Sequence, residues 1–278
     1  MSHDHGSASA THPEARNGTE PPGEAPKRAK ERRAIVVGAS SGMGAALVRQ
    51  LSSEGVDVVA VARRRAVLDE LAAECRGRAG RVIPCAHDVL DYAAVPALLE
   101  QLVRDLGGLD LFVYASGKMT EVGASEFDTA KDLDMLAVNV GGCIAWTNEV
   151  AKLFRTQRSG TIVGISSIAG ERGRKGNPAY GTSKAAMNHY LEALRNRLAD
   201  YDVHVCTIKP GFVETPMLDA ARARGTAIKG AITAEAAARS ILRAARRRSN
   251  EAFVPLKWAL VAAVLRNIPS FLFKGMNI

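Results

Sequence analysis

The sequence predicts an α/β fold built as a doubly wound parallel sheet. Three observations carry this. Short apolar runs recur between longer stretches of helical periodicity, and a glycine-rich turn directly follows the first run. The 278 residues are 47% hydrophobic, enough for one sizeable core, and they show neither an internal repeat nor a second domain.

Residues 1–30 are rich in Ser, Gly, Pro, Glu and His and lack apolar periodicity, the composition of a disordered polar tail. They hold no apolar stretch of secretory-signal type, and Asp4, Glu14, Glu20 and Glu24 argue against a transit peptide, so a cytoplasmic location is expected. From Arg33 the pattern alternates. The runs "AIVVG", "DVVAVA", "RVIPCA", "LDLFVYAS", "GTIVGISS" and "VHVCTIKP" read as strands buried on both faces. Between them "GAALVRQLSSEG", "AVLDELAAECR" and "VPALLEQLVRDLG" read as helices, and strand–helix alternation of this kind implies βαβ units. A last helix, "TAEAAARSILRAARRR", leads to a final strand near "EAFVPL". The expected organisation is a polar tail over 1–30, one catalytic domain over 31–256, and an amphipathic extension over 257–278.

The net charge of +8 suits a phosphorylated cofactor, an acidic membrane or nucleic acid. The charge is spread along the chain without interleaved aromatics, which are only 5% of residues, so no nucleic-acid partner is expected. Cys75, Cys85, Cys143 and Cys206 form no Cys-x-x-Cys pair and read as buried, reduced thiols. No metal-ligand cluster is visible, and no metal is expected.

The stretch "NPAYGTSKAAM" places Tyr180 and Lys184 one helical turn apart, on one face. Met187, Leu191, Leu194 and Leu198 continue that stripe, whereas Asn188, His189, Glu192, Arg195 and Asn196 fall elsewhere. A lysine on a core-facing stripe needs a polar partner. A phenol has a free pKa of about 10, too high for proton transfer near neutrality. A neighbouring cation lowers it by about 1–3 units, so the pair reads as a general acid with its tuner.

After the first strand come Gly38, Ala39, Ser40, Ser41, Gly42, Met43 and Gly44. Glycines here allow a tight turn and close approach to a pyrophosphate, while the following helix offers free N–H groups and its positive dipole end. With this turn, the chain resembles the short-chain dehydrogenase/reductase family from Ala34 to about Leu256, which implies a Rossmann-type fold. The family glycine motif matches Gly38, Gly42 and Gly44, its Asp-Val after the third strand matches Asp88 and Val89, and its Pro-Gly after the sixth matches Pro210 and Gly211. The resemblance places Ser40, Ser41, Met43, Ala115, Gly117, Val213 and Thr215 at the cofactor too, with Tyr180 and Lys184 shared between cofactor and chemistry. Its Asn-Asn-Ala-Gly motif aligns with Tyr114 to Gly117, where only the glycine is kept, and Val37 replaces the usual threonine. It gives Ser167, Tyr180 and Lys184 catalytic roles, and with them Asn139. That asparagine stands mid-helix beside Gly141 and Gly142, all poor helix formers, so a local kink that frees backbone groups is expected.

The second strand ends at Ala62, followed by Arg63, Arg64 and Arg65. No acid stands where a carboxylate would hold the ribose 2′-OH of NAD, and Arg63 and Arg64 can pair with a 2′-phosphate. The expected cofactor is NADP(H), and the expected activity interconverts a carbonyl and an alcohol by hydride transfer. A catalytically silent NADP(H)-binding sensor is the alternative from another class; a membrane-surface reductase of lipid-like ketones is another. The loop "IAGERGRKGNP" carries Arg172, Arg174 and Lys175 and reads as solvated, while "PMLDAARARGTAIKGAIT" reads as a substrate lid. The apolar tail after Leu256 falls short of a ~20-residue span. It admits packing over the substrate mouth, an oligomer contact, or peripheral membrane contact. The resemblance implies a homodimer or homotetramer.

Overall fold

The computed structural model describes residues 1–2, 32–123, 125–223 and 230–276. The chain divides into two units, Met1–Lys30 and Glu31–Ile278. The expected disordered tail falls outside the described residues beyond its first two, and so do residues 224–229 of the expected lid.

Seven strands form one parallel sheet in the order β3-β2-β1-β4-β5-β6-β7: β1 Arg33–Val37, β2 Asp57–Ala62, β3 Val82–Ala86, β4 Leu111–Tyr114, β5 Gly160–Ile165, β6 Val203–Pro210 and β7 Glu251–Val254. Each apolar run of the sequence became one of these strands. Side-chain alternation splits each strand between two cores. In β1, Ala34 and Val36 enter the core beneath α1 (Gly42–Ser53), α2 (Arg65–Glu74) and α8 (Ala234–Arg246), with Leu47, Leu68 and Ile241. Ile35 and Val37 enter the opposite core beneath α3 (Val95–Leu106), α5 (Gly142–Gln157) and α6 (Pro178–Leu198). Three of the four cysteines are buried, Cys85 is half-buried, and all four are free thiols.

The helix carrying Asn139 is broken as its glycines suggested. Between α4 (Thr129–Leu136) and α5, residues Ala137–Gly141 form a π-helical turn, whose altered bonding frees carbonyls for other donors. Two tyrosines take them: Tyr92 Oη donates to Ala137 O at 2.8 Å and Tyr114 Oη donates to Val138 O at 2.7 Å. A Cβ on Gly141 would run into the Tyr92 hydroxyl, and one on Gly142 into that of Tyr114. The departure from asparagine at Tyr114 therefore brings its own bond to the turn. Tyr114 is fully buried, so Tyr114→Phe strands a buried carbonyl. A loss of about 1–3 kcal/mol in chemical-denaturation stability is expected; unchanged stability would show that the bond contributes nothing.

The segment after β6, which leads into α7 (Pro216–Arg222), is covered by α9 (Lys257–Asn267), which is followed by α10 (Ser270–Phe273). The Trp258 ring meets Phe212 edge-on at 5.2 Å, and a Cβ on Gly211 would run into the Trp258 indole. Ala262, one turn further, is buried, whereas Leu260, Val261 and Val264 face outward. The outward side of the extension therefore carries large apolar residues. No helix among the described residues is long and apolar enough to cross a membrane.

Candidate active site

The strand order reverses between β1 and β4, the place where open parallel sheets take ligands beyond their carboxyl ends. A cleft of about 270 Å³ opens there, lined by Gly38, Ser40, Ser41, Gly42, Met43, Gly44, Ala62, Arg63, Arg64, Val89, Ala115, Gly117 and Thr215. Ser116, Pro216 and Met217, which the sequence reading passed over, also line it. A larger, more open hollow of about 640 Å³ lies between α2 and the edge strand β3 and contains none of the expected residues.

The turn is shaped for close backbone approach. Gly38 has φ +90° and a Cβ there would strike the Ser116 backbone, while one on Gly44 would strike the Gly38 carbonyl. Gly42, at φ +52°, has no room for a Cβ beside the Thr215 methyl, 2.9 Å away. Helix α1 begins at Ser41, whose side chain does not cap it, and has no acid in its first turn. Its first N–H groups therefore face the cleft as donors for an anion. These features fit the pyrophosphate of a dinucleotide.

The three consecutive arginines are used in three ways. Arg64 Nη2 donates to Ser40 Oγ at 2.9 Å, fastening its guanidinium to the glycine turn. Arg63 is exposed at the rim, with Nη1 3.9 Å from Asp88 Oδ2. Arg65 turns away to Asp69, one turn along α2, at 2.9 Å, which offsets the unfavourable cation at a helix N-terminus. Pro210, Gly211 and Val213 do not line the cleft: Gly211 is occupied by Trp258 and Val213 bridges to Ile232.

Helix α6 starts at Asn177, whose Oδ1 accepts from Tyr180 N at 3.0 Å, with Pro178 in its first turn. Ser183, Lys184, Met187, Leu191, Leu194 and Leu198 are buried along one stripe. Lys184 Nζ donates to Ile165 O at 3.1 Å and stands 5.8 Å from the Tyr180 ring centroid. Burial pushes the Lys184 ammonium down to about 8, and it likewise pushes the buried Cys143 thiol up to about 12. Asn139, also buried, is held by three bonds. Its Oδ1 accepts from Lys118 N at 2.7 Å, and its Nδ2 donates to Lys118 O and to Ser183 Oγ, both at 2.9 Å. Ser183 Oγ in turn donates to Tyr180 O at 2.7 Å. A Cβ on Gly117 would stand 3.5 Å from Lys184 Nζ and 3.6 Å from Asn139 Oδ1, so the wall of the dinucleotide cleft abuts both residues. Ser183 was missed in the sequence although it shares the core-facing stripe with Tyr180 and Lys184; a serine on such a stripe is a signal that it bonds a buried group.

Burial pushes the Tyr180 phenol up, and two groups oppose that: hydrogen bonding from Ser167 and the Arg174 guanidinium. Ser167 closes the end of β5 and its Oγ also accepts from Ala169 N at 3.1 Å. The expectation of a solvated basic loop is corrected here. Arg174 is half-buried, and burial holds its own pKa below the usual guanidinium value while Tyr180 pulls the other way. Arg172 reaches α9, donating to Leu265 O and Arg266 O at 3.0 Å. Only Lys175 of the three is exposed.

Residues 32–225 match the short chain dehydrogenase family. The chain belongs to the short-chain dehydrogenase/reductase family. It is an oxidoreductase, and the family implies a nicotinamide dinucleotide at the glycine turn. The chain is 32% identical over 197 residues to a 3-oxoacyl-acyl-carrier-protein reductase of Thermotoga maritima, covering 70% of this chain and 80% of that one. It is 33% identical over 209 residues to the short-chain reductase protein NovJ of Streptomyces niveus, covering 73% and 78%. A solved family structure from Burkholderia xenovorans superposes with a TM-score of 0.75 at 26% identity, covering 82% of this chain and 97% of that one.

Proposed function

We propose that this short-chain dehydrogenase/reductase is an NADP(H)-dependent enzyme that interconverts a carbonyl and an alcohol through Ser167, Tyr180, Lys184 and Asn139. The observation that carries the reading is the closeness of Gly117, which lines the cleft, to Lys184 and Asn139: a Cβ there would stand 3.5 Å and 3.6 Å from them. It supports a nicotinamide position beside buried Lys184, whose ammonium lies 5.8 Å from the Tyr180 ring centroid.

When bound, the dinucleotide supplies or accepts the hydride. The chain's own residues manage the oxygen. Ser167 donates a hydrogen bond to the substrate oxygen and holds it beside the phenol. Tyr180 gives its proton to that oxygen in reduction and takes it back in oxidation. Lys184 stabilises the phenolate that remains, and Asn139 fixes the segment at Lys118 against α6. Arg63 and Arg64 flank the ribose position and favour a 2′-phosphate, with no carboxylate at Ala62 to repel it. One relative is by name a 3-oxoacyl-acyl-carrier-protein reductase and the other a short-chain reductase, which supports reduction of a carbonyl group here. The substrate cleft lies among the segments after Gly117, Ser167 and Thr215, and the active form is a homodimer or homotetramer.

Arg174 gives this reading a pH signature. Its guanidinium lowers the phenol's pKa, so Arg174→Gln raises it. Reduction needs the protonated phenol and is lost as pH rises through that pKa. The alkaline limb of the kcat profile for reduction is therefore expected to move to higher pH in Arg174→Gln and to stay in place in Arg174→Lys. An unmoved limb in Arg174→Gln would mean that the guanidinium does not act on the phenol. The direct test of the proposed activity is turnover of NADPH with a panel of carbonyl compounds.

A further inference from the structure

The outer face of the C-terminal extension is apolar and uncovered in the monomer. Leu260, Val261 and Val264 share the side of α9 opposite the buried Ala262, and Phe271 and Leu272 are exposed on α10, which follows α9 in the chain. Leu260 and Phe271 are 72% and 70% exposed. Single exposed apolar residues are ordinary, but a contiguous patch of large ones marks an interaction surface.

The charge around the patch decides among occupants. Residues 252–278 contain no Asp or Glu, and their charges are Lys257, Arg266 and Lys274. Arg266 is taken by an ion pair with Glu171, Lys257 Nζ donates to Gly230 O at 3.2 Å at the start of α9, and Lys274 follows α10. A second copy docked through this face by a two-fold axis would bring the cations of one segment towards those of the other, with no carboxylate of the segment's own to pair them. An apolar helix face flanked by lysines instead suits the headgroup region of an anionic bilayer, where the side chains enter the acyl boundary and the ammonium groups meet lipid phosphates.

The patch is also fixed to the enzyme rather than tethered. Arg172, five residues beyond Ser167, bonds the carbonyls of Leu265 and Arg266 and stacks over the Phe273 ring at 4.4 Å. Glu171, paired with Arg266, is bridged by buried Lys209 of β6 at 3.1 Å. The loop that follows the catalytic serine therefore carries α9 as a rigid attachment. We propose that the outer face of α9 and α10 docks the enzyme peripherally on an anionic lipid surface, which sets the substrate cleft beside the bilayer.

Full-length protein is to be sedimented with vesicles of phosphatidylcholine alone and of phosphatidylcholine with phosphatidylglycerol. Wild type is expected to pellet with the anionic vesicles and to be released by high salt. The exposed-face variant Leu260→Ser/Val264→Ser/Phe271→Ser is expected to lose at least about tenfold in partitioning, because the apolar contribution is removed. Lys257→Glu/Lys274→Glu is expected to lose about fivefold or more per lysine. Thermal melting and NADPH binding report that both variants remain folded, and binding to vesicles is read without any assumption about the reaction. The proposal is overturned if wild type stays in the supernatant with anionic vesicles, or if the serine variant pellets like wild type. It is equally overturned if light scattering shows a dimer that only the serine variant dissociates, since a second copy then covers the face.

Discussion

Tyr180→Phe is expected to lower kcat/KM by about 10²–10⁴-fold while leaving NADPH affinity nearly unchanged, the usual contribution of a general acid. The expectation follows from position. Tyr180 is held at the first turn of α6 by the Asn177 cap and by Ser183, and its phenol has Ser167 and Arg174 as electrostatic neighbours. Removing one hydroxyl changes no backbone and no part of the dinucleotide cleft. Lys184→Ala is expected to differ by also weakening cofactor binding, because Lys184 Nζ stands against the Gly117 wall. Stopped-flow turnover and fluorescence titration of NADPH separate the two effects. A Tyr180→Phe enzyme that kept more than about a tenth of wild-type activity in a chemistry-limited assay would remove the phenol from the mechanism.

Ala62→Asp is expected to invert the cofactor preference. Wild type is expected to favour NADPH over NADH by about 10- to 150-fold, the contribution of one hydrogen bond to a charged group. A carboxylate at Ala62 would repel a 2′-phosphate and accept a bond from a 2′-OH, penalising one cofactor while favouring the other. Arg63→Ala and Arg64→Ala are each expected to lose only part of the preference. Arg63 is exposed at the rim beside Asp88 whereas Arg64 is fastened to Ser40, so the two guanidiniums are held by different parts of the cleft. The measurement is kcat/KM with both cofactors at one ionic strength. An Ala62→Asp enzyme with an unchanged ratio would show that the arginine run plays no part in cofactor choice.

The sheet was legible because its central strands are buried on both faces, which turns each into a continuous apolar run, whereas the edge strands β3 and β7 are only partly buried, β3 against the expectation of burial on both faces. The glycine turn was legible because its steric demand leaves only glycine. The Tyr180–Lys184 stripe was legible because helical periodicity alone places both groups on the core side. What the sequence hid depends on contacts between distant segments. Nothing local marks Tyr92 and Tyr114 as partners of the π-turn, since the bonds form only when β4 and the segment leading into α3 are packed beside it. The kink itself was readable from Asn139, Gly141 and Gly142. The basic loop after Ser167 looked uniformly solvated because composition does not distinguish Arg172, which reaches α9, from Arg174, which sits by the phenol, or from exposed Lys175. Likewise the run from Arg63 to Arg65 is uniform as a string. The end of β2 and the first turn of α2 send its members to Asp88, Ser40 and Asp69 respectively.

The central claim is that the phenol of Tyr180 and the dinucleotide cleft form one working site. Its most direct test is NADPH consumption by wild type and Tyr180→Phe across ketones, aldehydes, quinones and acyl thioesters. At least one class is expected to drive NADPH oxidation in wild type and to fail in Tyr180→Phe, with both proteins binding the cofactor alike. Cofactor binding without turnover of any carbonyl, or turnover that survives loss of the Tyr180 hydroxyl, would contradict the account.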